Sequence, residues 1–257
     1  MKKRVISAIV VLAIFIPLVI IGGIWFKIAA SIVSVLAMKE FLNLPSKSKR
    51  PLYVDAIFYA ITILLTFASK NRQTYYFIAF LVPMLAVIYC NNNKKYNADD
   101  AFKLIGNVML VGTFFYELVA IRENSILIFI YLFLITILTD TYAQIGGMLI
   151  GKHKLAPLIS PNKTWEGSIV GGVFGTLCAS TFYYCVINSS VNVFLLLIIT
   201  LFLSCLGQLG DLFFSAVKRN HNIKDFSNIM PGHGGVLDRL DSIIFVVIGY
   251  ILLKGII

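Results

Sequence analysis

The chain has 257 residues, of which 59% are hydrophobic and 13% charged, with a formal net charge of +10 and a mean hydropathy of +0.88. Soluble domains carry about 25% charged residues, so a water-soluble fold built around one core is excluded and the bilayer is the solvent. Four cysteines without CxxC spacing, and three scattered histidines, also exclude a zinc-binding module.

In chain order, Met1-Lys2-Lys3-Arg4 opens a long apolar run without a small-residue cleavage site, which reads as an uncleaved first span. A helix needs about 20 apolar residues to cross a hydrocarbon core of about 30 Å. That length predicts nine spans, near 5–25, 27–43, 54–69, 74–90, 104–121, 125–150, 167–187, 192–217 and 240–256. The runs are continuous and do not alternate, so they are helices and not barrel strands. The expected fold is an all-α integral membrane protein of about nine transmembrane helices. Cys90, Cys178, Cys185 and Cys205 fall in or beside these runs and are expected as buried packing residues. Glu40 and Glu117 lie within spans, with structural and functional roles equally open, and Lys39 is placed to snorkel.

The long hydrophilic connections are 91–103, 151–166 and 218–239. With the N-terminus inside, the cytoplasmic segments hold sixteen basic residues and the outer segments five. This asymmetry predicts a cytoplasmic N-terminus, an outer C-terminus and an odd number of spans. It also accounts for the net charge without nucleic acid, because cytoplasmic basic residues meet anionic membrane lipids. The organisation expected is a helical scaffold over 1–124, followed by helices with cytoplasmic catalytic loops over 125–257.

Charged residues inside spans are costly and point to function. Asp140 and Asp211 follow apolar runs and have no basic residue at i±3 or i±4. Asp211, Ser215 and Lys218 share one helix face, at i, i+4 and i+7. Asp238 and Asp241, at i and i+3 with Arg239 between them, open the last span. Three carboxylates at Asp211, Asp238 and Asp241 repel one another unless a cation sits among them, and oxygen-only donors favour Mg²⁺ or Mn²⁺. Helix capping is the competing role, and it suits Asp238 better than Asp241.

Between these helices run Lys218-Arg219, Lys224-Asp225 and the turn Pro231-Gly232-His233-Gly234-Gly235, a basic and glycine-rich setting for phosphate. A second polar segment, 151–166, follows Gly146, Gly147 and Gly151, which are expected to loosen the helix end. In it, Ser160-Pro161 marks a turn, and Lys163 and Thr164 stand just before a helix N-terminus, where anions are favoured. His233 fits phosphate contact better than general-base work, while His153 and His221 look peripheral.

Two blocks closely resemble the bacterial phosphatidate cytidylyltransferases (CDP-diacylglycerol synthases). The first is Ser215-Ala216-Val217-Lys218-Arg219, Lys224-Asp225 and Gly232-His233-Gly234-Gly235-Val236-Leu237-Asp238-Arg239-Leu240-Asp241. The second is Asp140-Thr141, Gly147, Gly151-Lys152, Ser160-Pro161 and Lys163-Thr164-Trp165-Glu166-Gly167. The chain departs from the pattern at Gln144, Met148 and Phe214, away from the aspartates and the His-Gly-Gly turn. The resemblance implies a Mg²⁺-dependent transfer from CTP to phosphatidate at the bacterial inner membrane, giving CDP-diacylglycerol and pyrophosphate. It also implies one or two cations on Asp211, Asp238 and Asp241, a homodimer, and charge neutralisation by Lys218, Arg219 and Arg239. Asp140, Ser160, Lys163, Thr164, Ser215, Lys224, Asp225, His233, Gly234 and Gly235 would then position the nucleotide or the lipid headgroup. An ion-coupled transporter and a related CTP-dependent enzyme acting on another lipid, such as a polyprenol kinase or a different CDP-lipid synthase, are the rival readings.

Overall fold

A computed structural model describes residues 2–45, 52–69, 72–91, 98–230 and 234–255. Each of the nine predicted stretches holds a helix. They are α1 (Lys2–Ile21), α2 (Gly23–Leu42), α3 (Leu52–Phe67), α4 (Arg72–Asn91), α5 (Ala98–Asn107) running through a π-turn into α6 (Thr113–Asn124), α7 (Ile126–Ile150), α8 (Trp165–Phe182), α9 (Val193–Asn220) and α10 (Leu237–Leu253). The described residues are all-α apart from one small hairpin. Among the described residues, four helical segments are long and apolar enough to cross a bilayer: Asp100–Asn124, Ile126–Ile150, Trp165–Ile187 and Val193–Asn220. At 1.5 Å per residue they reach roughly 34 to 42 Å. The first predicted span ends early, because Gly22 turns the chain at φ +68 between α1 and α2.

The chain forms two compact units, Met1–Asn124 with Asp225–Asp238, and Ser125–Lys224 with Arg239–Ile257. The segment 225–238 thus groups with the N-terminal helices and not with its chain neighbours. In the first unit, Met38, Leu42, Phe58, Leu65, Val82 and Leu104 build an apolar core across α2 to α5. Arg122 of α6 donates to the Val19 and Ile20 carbonyls at 2.5 and 2.9 Å, satisfying acceptors that the end of α1 leaves open. Lys27 pairs with Glu123 at 3.0 Å beside it.

In the second unit, side-chain caps start the helices. Ser125 Oγ accepts from Ile128 N, Thr164 Oγ1 from Gly167 N, and Asn192 Oδ1 from Phe194 N. Small residues let α8 lie against α7: Gly167, Gly171 and Gly175, at successive four-residue steps, face Ala143 and Thr139 so closely that a Cβ would stand 2.6 Å from α7 atoms. Gly146 and Gly147 do not loosen α7, which continues to Ile150; they lie under Val170 and Thr164. Hydroxyls bond across the helices, Tyr131 with Thr200 at 2.6 Å and Thr139 with Ser204 at 2.7 Å. Gly207 and Gly210 of α9 meet Val246 and the Asp241 carbonyl of α10.

The 151–166 segment is not only a loop. Lys154–Ala156 (β1) pairs antiparallel with Ser160–Thr164 (β2). The Glu166 carboxylate folds this hairpin back, accepting from Lys152 N and His153 N at 3.1 and 3.2 Å and meeting His153 Nδ1 at 2.6 Å. Cys185 and Cys205 are exposed, not buried as expected, and so face the solvent that a membrane helix meets, while Cys178 is half-buried.

Candidate active site

Within the second unit, three carboxylates from three helices come within electrostatic reach of one another. Asp140 of α7 faces the charges of Asp211 and Lys163, and Asp241 of α10 faces Asp211, Lys218 and Asp140. Asp211 of α9 is tied on both oxygens. Its Oδ2 pairs with Lys163 Nζ at 2.5 Å, and its Oδ1 accepts from Ser215 Oγ at 3.2 Å. Ser242 Oγ stands 3.5 Å from Asp140 Oδ2, and Ser242 N donates to Asp241 Oδ1 at 2.9 Å.

Each position follows from local folding. The Gly167–Gly175 stripe draws α7 and α8 together, bringing Asp140 to the crossing and setting the hairpin beside it. The hairpin's β2 places Lys163 one residue before the α8 cap, from where its ammonium reaches Asp211. The 28-residue α9 carries Asp211, Ser215 and Lys218 on one face. Lys218 is only 8% exposed, so its charge is not lost to water. The arrangement gathers two ammonium groups and three carboxylates, with Lys163 already paired to Asp211.

The other sequence-derived candidates have different partners. Thr164 caps α8, and Arg219 donates to the carbonyls of Ile159 and Ile223, both at 3.2 Å, tying the hairpin end and the turn after α9. Asp238 Oδ2 accepts from Phe226 N and Gly235 N, both at 2.9 Å, which closes the glycine-rich turn from the helix side. Gly234 holds φ +82, and an added Cβ would meet Asp238 Oδ2 at 2.9 Å and Asp225 at 3.4 Å, so a side chain there would be strained as well as crowded. Ser160 is half-buried in β2, and Lys224 and Arg239 are exposed. His233 lies outside the described residues.

The donor set can be tested against a divalent cation. Among the described residues, no three His, Cys, Asp or Glu side chains are grouped at metal-holding range, so a complete protein cage is excluded there. Carboxylates from Asp140, Asp211 and Asp241 with adjoining hydroxyls still fit Mg²⁺, which takes one or two carboxylates and completes its shell with water and substrate phosphates.

One buried acidic residue was left open by the sequence. Glu40, on α2, is 3% exposed and accepts from Val236 N and Leu237 N, both at 2.8 Å, and from Ser227 Oγ at 2.5 Å. The signal that could have marked it is the one used for Asp140 and Asp211, an acid inside an apolar span with no base at i±3 or i±4.

Apolar helices around an acidic, lysine-bearing centre define a helical membrane protein with a charged cluster set among its spans. The family model described as "Cytidylyltransferase family" matches residues 2–256, and the chain belongs to that family. It is 38% identical over 253 residues to the phosphatidate cytidylyltransferase of Staphylococcus haemolyticus (strain JCSC1435), covering 96% of each chain. To the proteins of the same name from Staphylococcus aureus (strain COL) and Staphylococcus epidermidis (strain ATCC 35984) it is 37% and 35% identical, again over 96% of each chain.

Proposed function

We propose that the protein transfers the cytidylyl group of CTP to phosphatidate, forming CDP-diacylglycerol and pyrophosphate with Mg²⁺ bound. The observation that carries this reading is the near full-length similarity to proteins named phosphatidate cytidylyltransferase. The cluster around Asp211 supplies chemistry suited to it.

A phosphatidate oxygen attacks the α-phosphorus of CTP, the bond to the β-phosphate oxygen breaks, and pyrophosphate leaves. The lipid phosphate is already anionic and nucleophilic, so the site needs no strong base. Its work is positioning and charge neutralisation. Lys163 exchanges Asp211 for a phosphate oxygen when the nucleotide arrives, and Lys218 balances charge beside Asp241. Asp211, Asp241 and Asp140 are the residues that would hold Mg²⁺. Bound there, the cation would offset charge on the nucleotide phosphates. Ser160, Thr164 and Arg219 shape the hairpin side of this cluster, and contact with headgroup or nucleotide phosphate is assigned, on the sequence motif, to Lys224, Asp225, His233, Gly234, Gly235 and Asp238.

The same reading has nine membrane crossings, the N-terminus and the site on the cytoplasmic side of the bacterial inner membrane, and a homodimeric assembly. A bilayer-held lipid and a cytosolic nucleotide meet only at that face. The test is purified protein in mixed micelles with labelled CTP, Mg²⁺ and phosphatidate or other lipid acceptors in parallel. Chloroform-soluble CDP-diacylglycerol formed from phosphatidate is the expected product. Product from another lipid alone, or solute uptake into liposomes without product, would overturn the reading.

A further inference from the structure

The buried Glu40 carboxylate is unused by the proposed chemistry, yet its oxygens are committed. Its partners among the described residues are three neutral donors, the N–H groups of Val236 and Leu237 and the Ser227 hydroxyl. Leu237 opens α10 and Val236 is the residue before it, where backbone N–H groups lack intrahelical acceptors. A carboxylate placed there satisfies two of them and is favoured by the helix dipole. The cap therefore comes from α2, about 196 residues away in sequence.

The turn is shaped for this contact. A Cβ on Gly235 would stand 2.6 Å from both Glu40 oxygens, so a side chain there would exclude the carboxylate. The next residue on α2, Phe41, stacks on Phe226 with ring centroids 6.1 Å apart. Asp238 Oδ2 holds Phe226 N and Gly235 N. Glu40 and Asp238 thus hold neighbouring N–H groups of the same segment, and Asp238 stands one residue beyond the N–H that Glu40 holds.

We propose that Glu40 is a positioning residue: by holding Val236 N and Leu237 N from α2 it fixes where α10 starts and hence the bearing of Asp238. Its catalytic consequence rests on the transfer reaction proposed above. Gln at position 40 keeps the shape but turns one acceptor into a donor facing a backbone N–H, and Asp is one methylene too short to reach both.

The test compares wild type with Glu40→Gln, Glu40→Asp and Ser227→Ala in kcat, KM for phosphatidate, Mg²⁺ activation and hydrogen exchange of the 225–238 peptide. Glu40→Gln should lower kcat by about tenfold or more, within the range that small misplacements cost. It should also raise the Mg²⁺ needed for half-maximal rate and speed exchange in 225–238, with KM for phosphatidate little changed. Glu40→Asp should recover part of the rate. Wild-type kcat, Mg²⁺ response and exchange in Glu40→Gln would overturn the proposal, as would a rate loss no larger than the loss of folded protein. If Glu40→Gln does not fold, Ser227→Ala must show the same shift in Mg²⁺ response at smaller size, and a wild-type response there overturns it. If the wild type itself makes no CDP-diacylglycerol, the reaction assignment fails. Exchange in 225–238 then decides the cap alone, with unchanged protection in Glu40→Gln counting against it.

Discussion

Two adjacent glycines in α8 should respond oppositely to the same substitution. On Gly171, an added Cβ would stand 2.6 Å from the Thr139 carbonyl oxygen and 2.7 Å from Ala143 Cβ. These atoms have no rotamer to move, so α7 and α8 must separate. Overpacking of this kind costs about 1–3 kcal/mol, against a gain of roughly 0.5–1 kcal/mol from replacing glycine within a helix. On Gly172, the nearest atoms are Gln208 Nε2 and Leu201 Cδ1, both at 3.7 Å, which is ordinary contact. Only the gain remains there. Gly171→Ala should therefore be destabilised by about 1–2 kcal/mol, and Gly172→Ala unchanged or slightly stabilised. For a chain of this size, 1 kcal/mol corresponds to about 2–4 °C in unfolding temperature. Thermal unfolding in detergent, followed by the fluorescence of Trp25 and Trp165, reads the difference. Because Thr139 and Ala143 flank Asp140, Gly171→Ala should also lose activity. If Gly171→Ala unfolds at or above the temperature of Gly172→Ala, the close α7–α8 crossing is wrong.

Asp211→Asn and Asp238→Asn should each lose more than about 10²-fold in rate, the scale of removing one preorganised electrostatic group. Steady-state turnover near wild type in either would remove that residue from the chemistry. Lys163→Met, which strips the Asp211 partner, should lower kcat/KM for CTP by about 10²-fold, with Lys163→Arg retaining more of it. A threefold or smaller loss in Lys163→Met would show that the 2.5 Å pair is structural.

The helices were legible because length and continuous hydrophobicity act locally, so every predicted stretch contains one. The hairpin was not legible, since Ser160-Pro161-Asn162 carries turn residues within a strand and its pairing depends on Glu166 holding Lys152 and His153. The glycines at 146 and 147 were misjudged for a related reason. Composition shows that glycine can loosen a helix, but only the neighbouring α8 shows that these let another helix close. Periodicity put Asp211, Ser215 and Lys218 on one face; it could not show Lys163 reaching Asp211 across 48 residues, or Asp140 facing Asp241. Glu40 is the extreme case, with its backbone partners nearly 200 residues away and no local pattern pointing to them.

The most direct measurement supplies phosphatidate and Mg²⁺ with CTP labelled at either the α- or the γ-phosphate, and follows the label into the lipid. Cytidylyl transfer predicts α-label in CDP-diacylglycerol, γ-label only in pyrophosphate, and loss of both signals in Asp211→Asn. Label from the γ-phosphate in the lipid would mean phosphoryl transfer instead, and would contradict the account.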